Sequence, residues 1–385
     1  MPPPSAISSG SQTLSRRRSF RVSLVLAALF TVACDGGSTG PSAPAEGGGG
    51  PTPKSEPKSG LPPIEDVVKL VKNLDSATLP PEALDRLAIV AIDAADRMIV
   101  GFDAEGERLG PLATDTALKS DLAATRDGER IAFVRQFDQP LKRSDVVTMA
   151  RNGGDKKILT LALPDVEETE RRARAGAGRS GTRYEGLAFA PDGKSIVLFA
   201  EMPNQKEGVF RLDVAALRLD PVAETPRGER GAARFPFPCL SSDGLRFACT
   251  RRSPPPPGSV TPAADEIVIV SIADRLESTV YRTSEGGARV LSFSPDDSTL
   301  LVVETDRDGG ARLFLVPLAG GGPKPLVTGR KIIGSFAPDG RSVVYSAEKA
   351  ESEDIYVVSV DGGEPRRLTR GGGILRDPIW LAPRK

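Results

Sequence analysis

Asp192, Asp243, Asp296, Asp339 and Asp361 stand in similar settings, each beside a proline, glycine or serine that bends the chain. The 385 residues include no histidine, which removes the usual base of a Ser-His-Asp or Cys-His site and the commonest metal ligand. Catalysis would have to run through carboxylates, a serine with a lysine, or a metal held by oxygen alone. These aspartates read first as turn caps: proline presets φ at the corner, aspartate accepts hydrogen bonds through its side chain, and glycine takes positive φ at the exit. Glycosidase chemistry needs two carboxylates converging on one sugar, yet aromatic residues make up 5% of the chain and the single tryptophan is Trp380. Asp306-Arg-Asp-Gly-Gly310 hints at a calcium loop but lacks the spaced carboxylates and closing glutamate, and reads as a solvated loop. Cys239 and Cys249 flank one hairpin. With its turn centred between Ser242 and Asp243, Cys239 faces Arg246 and Cys249 points to the opposite face, so two buried free thiols are expected.

Lysine plus arginine (51) balances aspartate plus glutamate (51), so no net field draws the chain to nucleic acid. With 39% hydrophobic and 26% charged residues, the composition is that of a globular protein with a substantial core.

What positions these residues is a repeat. One phrase recurs at Leu187–Phe199, Leu291–Val303 and Gly334–Tyr345, each passing through Phe-(Ala/Ser)-Pro-Asp, with weaker copies at Ala123–Phe133 and Cys239–Cys249. The strand after each turn is nearly all apolar, as a strand buried on both faces must be. A second phrase, two strands around a polar turn, follows each first one: Val146–Thr160, Val209–Val222, Ile267–Tyr281, Leu313–Thr328 and Ile355–Thr369. Together they make a four-stranded unit at the spacing of propeller blades. Phrase one plus phrase two resembles the repeat of the TolB-like β-propellers, shared with the propeller of prolyl oligopeptidases, over about residues 87–385. Five blades start near Leu122, Tyr184, Arg234, Arg289 and Ile332. Asp377–Pro383 matches only an innermost strand and Leu87–Thr114 only the outer three, so joined they give a sixth blade and close the ring. The expected fold is all-β, a six-bladed β-propeller closed by one C-terminal and three N-terminal strands.

Ahead of the repeat, Arg16, Arg17, Arg18 and Arg21 precede the apolar stretch Val22–Val32, too short for a permanent membrane span. Ala33-Cys34-Asp35-Gly36 then resembles the lipobox of bacterial lipoproteins, departing from it at Thr31 where leucine is usual. The resemblance implies lipidation of Cys34, with a plain cleaved signal peptide over residues 1–33 as the alternative. Arg17-Arg18-Ser19-Phe20 also resembles a twin-arginine signal. Residues 34–60 are rich in Gly, Ser and Pro and read as a flexible tether, and residues 61–86 as a short helical segment with Ile64, Val67, Val68 and Val71 at helical spacing.

The prolyl oligopeptidase activity is not expected, since there is no Gly-x-Ser-x-Gly, no histidine and no room for a hydrolase domain. The TolB resemblance implies an envelope complex, where that family contacts a peptidoglycan-associated lipoprotein, but this chain has no room for the family's α/β domain. Long loops are expected on one rim at Gln136–Ser144, Glu167–Arg183, Thr250–Asp265, Glu304–Ala311 and Glu348–Asp354, around the channel mouth, where binding residues concentrate. Arg171, Arg172, Arg174, Arg251, Arg252 and Arg307 are the candidate partner-binding residues, with solvated loops as the bland alternative. The expectation is a monomeric, lipid-anchored protein of the periplasm or cell surface that binds an envelope protein or peptide, with no metal and no other cofactor. A channel enzyme with an oxygen-ligand metal or carboxylate pair, and a small-ligand sensor, are the alternatives.

Overall fold

The structure, a computed structural model, describes residues 74–137, 143–160, 182–202, 206–226, 236–252, 265–283, 287–371 and 373–384. The export segment, the tether and residues 61–73 of the segment expected to be helical at 61–86 lie outside these residues. The helix that is described, α1 (Pro81–Leu84), is a single turn opened by proline at its first position. None of the described helices is long and apolar enough to cross a membrane.

Strands β1 (Ile89–Asp93), β2 (Met98–Phe102) and β3 (Arg108–Ala113) are followed by five complete four-stranded sheets. Blade 2 holds β4 (Leu118–Ala124), β5 (Arg130–Phe137), β6 (Arg143–Ala150) and β7 (Lys157–Ile158). Blade 3 holds β8 (Arg183–Phe189), β9 (Ser195–Glu201), β10 (Lys206–Asp213) and β11 (Leu219–Pro226), and blade 4 holds β12 (Cys239–Leu240), β13 (Arg246–Arg252), β14 (Asp265–Ser271) and β15 (Glu277–Arg282). Blade 5 comprises β16 (Gly287–Phe293), β17 (Thr299–Thr305), β18 (Gly310–Pro317) and β19 (Lys324–Arg330). Blade 6 comprises β20 (Ile333–Phe336), β21 (Ser342–Lys349), β22 (Ser352–Ser359) and β23 (Arg366–Arg367). The last strand, β24 (Leu375–Trp380), pairs antiparallel with β1 and completes blade 1 in the order β24-β1-β2-β3. Each innermost strand touches the next, from β24 through β4, β8, β12, β16 and β20 back to β24. The chain is therefore a closed six-bladed propeller, joined between its two ends as the incomplete repeats require.

The apolar runs follow from this ring. Six hydrophobic clusters fill the six blade interfaces. In β1, Val90 and Ile92 face blade 2 while Ile89 and Ala91 face blade 6, so alternate residues of one strand enter different interfaces and none is left for water. Each buried valine or isoleucine among them contributes about 1.5–3 kcal/mol.

The hairpin after each innermost strand and the turn before each outermost one lie on one rim, which stays short. Asp192, Asp243, Asp296 and Asp339 cap these turns as expected, accepting the N–H of Lys194, Leu245, Ser298 and Arg341 at 2.9, 2.9, 3.1 and 2.9 Å. Asp361 departs from the pattern. Its carboxylate is 94% exposed and 3.7 Å from Lys324 Nζ, and the turn is held instead by the Ser359 hydroxyl oxygen, which accepts the Asp361 N–H.

Two side chains tie the ends together on this rim. Arg151, 3% exposed, donates to the carbonyls of Leu87, Gly128 and Ala382 at 2.6, 3.3 and 2.7 Å, so one guanidinium bridges the start of blade 1, blade 2 and the end of β24. The segment ahead of β1 is latched to the β6–β7 turn: Leu79 N–H donates to Asn152 O at 2.8 Å, and Lys156 Nζ holds Ala77 O at 2.7 Å with Asp75 at 3.4 Å.

Cys239 and Cys249 are buried and unbonded. Cys239 pairs with Ala248, not with Arg246. The hairpin closes between Ser241 and Arg246, leaving four residues in the loop and moving its centre one place later than the sequence suggested. The two thiols still point to opposite faces, one into the blade 4–5 interface and the other into the blade 3–4 interface. Burial pushes the Cys239 thiol up to about 12 and raises Cys249 well above the ordinary range. In native buffer near pH 8, alkylation of both is expected to be at least about a hundredfold slower than in denaturant, since only the thiolate reacts. Peptide mass spectrometry after timed labelling reads this directly, and equal rates would contradict their burial.

Candidate functional site

The six innermost strands converge on an axial channel enclosing a cavity of about 80 Å³, to which every blade contributes. The repeat explains the geometry. The residues just before the first phrase in each blade are Asp121, Gly186, Phe237, Val290, Ile333 and Asp377. Four of them adopt left-handed φ: 54° at Asp121, 64° at Gly186, 57° at Phe237 and 48° at Asp377. Pairing shifts near this position in β4, β8, β16 and β24, so a bulge turns the backbone at the channel wall. At Gly186 glycine is required twice over, because a Cβ would also lie 2.7 Å from Phe237 Cα. Phe237 has no such freedom, and an aromatic residue at positive φ is held there against its preference.

The channel's charges lie towards the rim opposite the short turns. Arg289 from blade 5 reaches across the axis to Asp121 in blade 2, with Nη2 3.1 Å from Oδ1, and its guanidinium carbon lies 4.2 Å above the Phe237 ring. Asp121, whose side chain is 8% exposed, also accepts the Gly186 N–H at 3.1 Å. Asp377 Oδ2 accepts the Asp121 N–H at 3.4 Å, while its buried Oδ1 has no hydrogen-bond partner among the described residues. Burial holds the Asp377 carboxyl above its usual range; Arg289 opposes the shift and Asp121 adds to it. Glu185 is also raised, first by burial and then by Asp121. Among the described residues no group of three or more His, Cys, Asp or Glu is placed to hold a metal ion.

On the rim opposite the short turns, ion pairs run along the strand ends of blades 4, 5, 6 and 1. Glu266 accepts from Arg251 Nε at 2.8 Å and from Arg282, and Arg251 also reaches Glu277 at 2.8 Å. Glu304 accepts from Arg312 and, at 3.2 Å, from the Tyr281 hydroxyl. Lys331 bridges Glu348 and Glu353 at 2.9 and 3.0 Å, and Arg376 grips Glu353 with two donors at 2.5 and 2.7 Å.

Of the residues singled out in the sequence, Arg251 belongs to this belt, on strand β13 and paired with carboxylates. Arg252 ends the same strand, in register with Asp265. Arg307 sits exposed on the tip of the β17–β18 turn. Arg171, Arg172, Arg174, Cys34 and most of the loops at 136–144, 167–183 and 250–265 lie outside the described residues. Two of the expected long loops are tight turns: strands run to Thr305 and restart at Gly310, and run to Lys349 and restart at Ser352. The Asp306 carboxylate accepts the N–H of Asp308 and Gly310 at 2.9 and 2.7 Å, capping its own turn. The channel residues Asp121, Glu185, Phe237, Arg289 and Asp377 were not singled out. Reading each repeat one or two places upstream would have found them.

No protein-family model matches the chain. An uncharacterised protein of Agrobacterium fabrum is 28% identical over 138 residues, 35% of this chain and 40% of that protein's length. Among solved structures, TolB from Acinetobacter baumannii superposes with a TM-score of 0.57 at 19% identity, covering 79% of this chain and 68% of TolB. A chain of the nidogen–laminin complex superposes with a TM-score of 0.53 at 10% identity, covering 77% of this chain and 99% of that one. At such identities the likeness is one of fold, and the fold is that of a TolB-like six-bladed β-propeller.

Proposed function

We propose that the chain is a membrane-anchored lipoprotein of the bacterial envelope, acylated at Cys34, whose propeller binds a protein or peptide on the rim opposite its short turns. The observation that carries this reading is the series of paired charges at the strand ends on that rim, from Arg251 and Glu266 through Glu304 and Arg312 to Glu353 and Arg376. It presents fixed donors and acceptors of both signs on a rigid scaffold, the chemistry of a polar interface rim. The TolB-like fold supports a binding platform. Asp121, already engaged by Arg289 and the Gly186 N–H, is poorly suited to serve as a base, which favours binding over catalysis. The apolar stretch before Cys34 supports export to the periplasm or cell surface.

Cross-linking in intact cells followed by mass spectrometry tests the platform. The native chain is compared with one whose residues 253–264 are replaced by a short Gly-Ser linker, which keeps the Arg251–Glu266 pair. One envelope protein captured by the native chain and reduced at least about tenfold in the variant is the expected result, equivalent to roughly 1.4 kcal/mol of lost affinity. Equal capture by both chains would remove the rim from the account. A Cys34→Ala chain that still partitions with membranes would remove the anchor.

A further inference from the structure

The channel holds more negative than positive groups. Asp377 on β24 and Asp121 on β4 line it, against Arg289 on β16 among the described residues, and Glu185 on β8 lies close enough to interact with Asp121 and Arg289. Blades 4 and 6 contribute Phe237, Pro238, Gly334 and Ser335, which carry no charge. Behind these, Arg183 and Glu201 act on Glu185, and Arg376 near Asp377 is taken up by Glu353. Arg289 is itself committed to Asp121 and the Phe237 ring. Two buried polar atoms of this cluster have no hydrogen-bond partner among the described residues, the acceptor Asp377 Oδ1 and the donor Arg289 Nε. A carboxylate oxygen out of water without a donor is costly.

The cavity limits what that donor can be. About 80 Å³ is the share of two or three water molecules at roughly 30 Å³ each, far below the roughly 300–1,000 Å³ of pockets for drug-sized ligands. Its walls include Leu122, Leu187, Pro378 and Ile379, which suit a methylene stem leading to a charged tip. We propose that the channel is the receptor for one cationic head group, the ammonium or guanidinium of a lysine or arginine side chain presented by the protein or peptide on the rim. This rests on the binding reading above and adds what the partner must carry.

Because Asp377 and Glu185 hold their protons above the usual carboxylate range, the cation displaces protons. Binding weakens as pH falls through those raised values and strengthens as it rises.

The experiment is calorimetry on the full chain with three peptides, acetyl-Gly-Gly-X-Gly-Gly-amide with X as lysine, arginine or norleucine. The lysine or arginine peptide is expected to bind, progressively more weakly as the pH is lowered, with a heat that changes with the buffer's ionisation enthalpy. The norleucine peptide, equal in stem but uncharged, is expected not to bind. Asp377→Asn is expected to weaken the cationic peptides at least about tenfold, while Asp361→Asn, on an exposed turn, leaves them unchanged. Asp377→Asn keeps the side chain's shape and its acceptor for the Asp121 N–H, so it is expected to melt no lower than the native chain, and lost binding is then not unfolding. Norleucine binding as well as lysine, no binding by any peptide, or full affinity in Asp377→Asn overturns the proposal. In the cellular assay, a partner captured by Asp377→Asn but lost with the 253–264 replacement overturns the channel's role and leaves the platform standing. A partner retained by both overturns the platform itself.

Discussion

A chain ending at residue 374 is expected not to fold cooperatively. Such a truncation deletes β24, the innermost strand of blade 1 and the strand that closes the ring by pairing with β1. It removes Leu375 and Leu381, which are buried, and Ile379 and Trp380, which pack against the same interfaces. At about 1.5–3 kcal/mol per apolar side chain the loss is on the order of 8 kcal/mol, comparable with the roughly 5–15 kcal/mol that holds a whole domain together. The damage does not stop at burial: β1 becomes an unpaired edge open to pairing with other chains, and Arg151 loses its bond to Ala382 O. Calorimetric melting and size exclusion chromatography check this. A truncated chain that stays monomeric and melts within a few degrees of the full one would mean that the ring does not depend on its seam.

The second large effect is expected from Asp145→Ala. Asp145 is fully buried in β6, where one carboxylate oxygen lies 3.2 Å from Arg135 Nη2 and the other accepts from Arg143 Nη2. Both arginine side chains are nearly as buried, at 1% and 5% exposure. Removing the carboxylate takes from both guanidinium groups an anion that offsets their desolvation, and breaking a buried pair in this way costs about 3–5 kcal/mol. Asp145→Asn, which keeps shape and acceptor but not charge, is expected to fall between the native chain and the alanine variant. Urea unfolding monitored by Trp380 fluorescence gives the ordering. A loss below about 1 kcal/mol for alanine would show that the arginines find other compensation.

The ring was legible because its signals are local. Phe-(Ala/Ser)-Pro-Asp needs only a few residues to form a turn, and the apolar run after it can sit only between two neighbours, so blade number and even the joined sixth blade could be counted. What failed was finer. The Cys239 register was misjudged by one place in the turn centre, because the sequence does not say how many residues the Ser241–Arg246 loop holds. Two loops were drawn too long because Glu304 with Arg312 and Glu348 with Glu353 look like loop charges, whereas each pair lies directly cross-strand at a sheet end. In the second pair the like charges are reconciled by Lys331, which sits far enough away in sequence to give no sign. The channel was the least legible part: Asp121, Arg289 and Asp377 meet only once the ring closes, and in single file each is an ordinary charge before a strand.

The latch ahead of β1 has a mechanical consequence. Any pull on the chain preceding Leu74 meets Asp75, Ala77 and Leu79 where they grip Lys156 and Asn152, so the load enters blade 2 and bypasses the β1–β24 seam. Should those few bonds yield, the roughly fifteen residues before Ile89 would unwind and lengthen by up to about 50 Å before tension reached the ring. The segment thus acts as strain relief, a short reserve of cable that gives way ahead of the connector. Because it leaves from the short-turn rim, a tethered molecule under tension would turn the opposite rim away from whatever holds it.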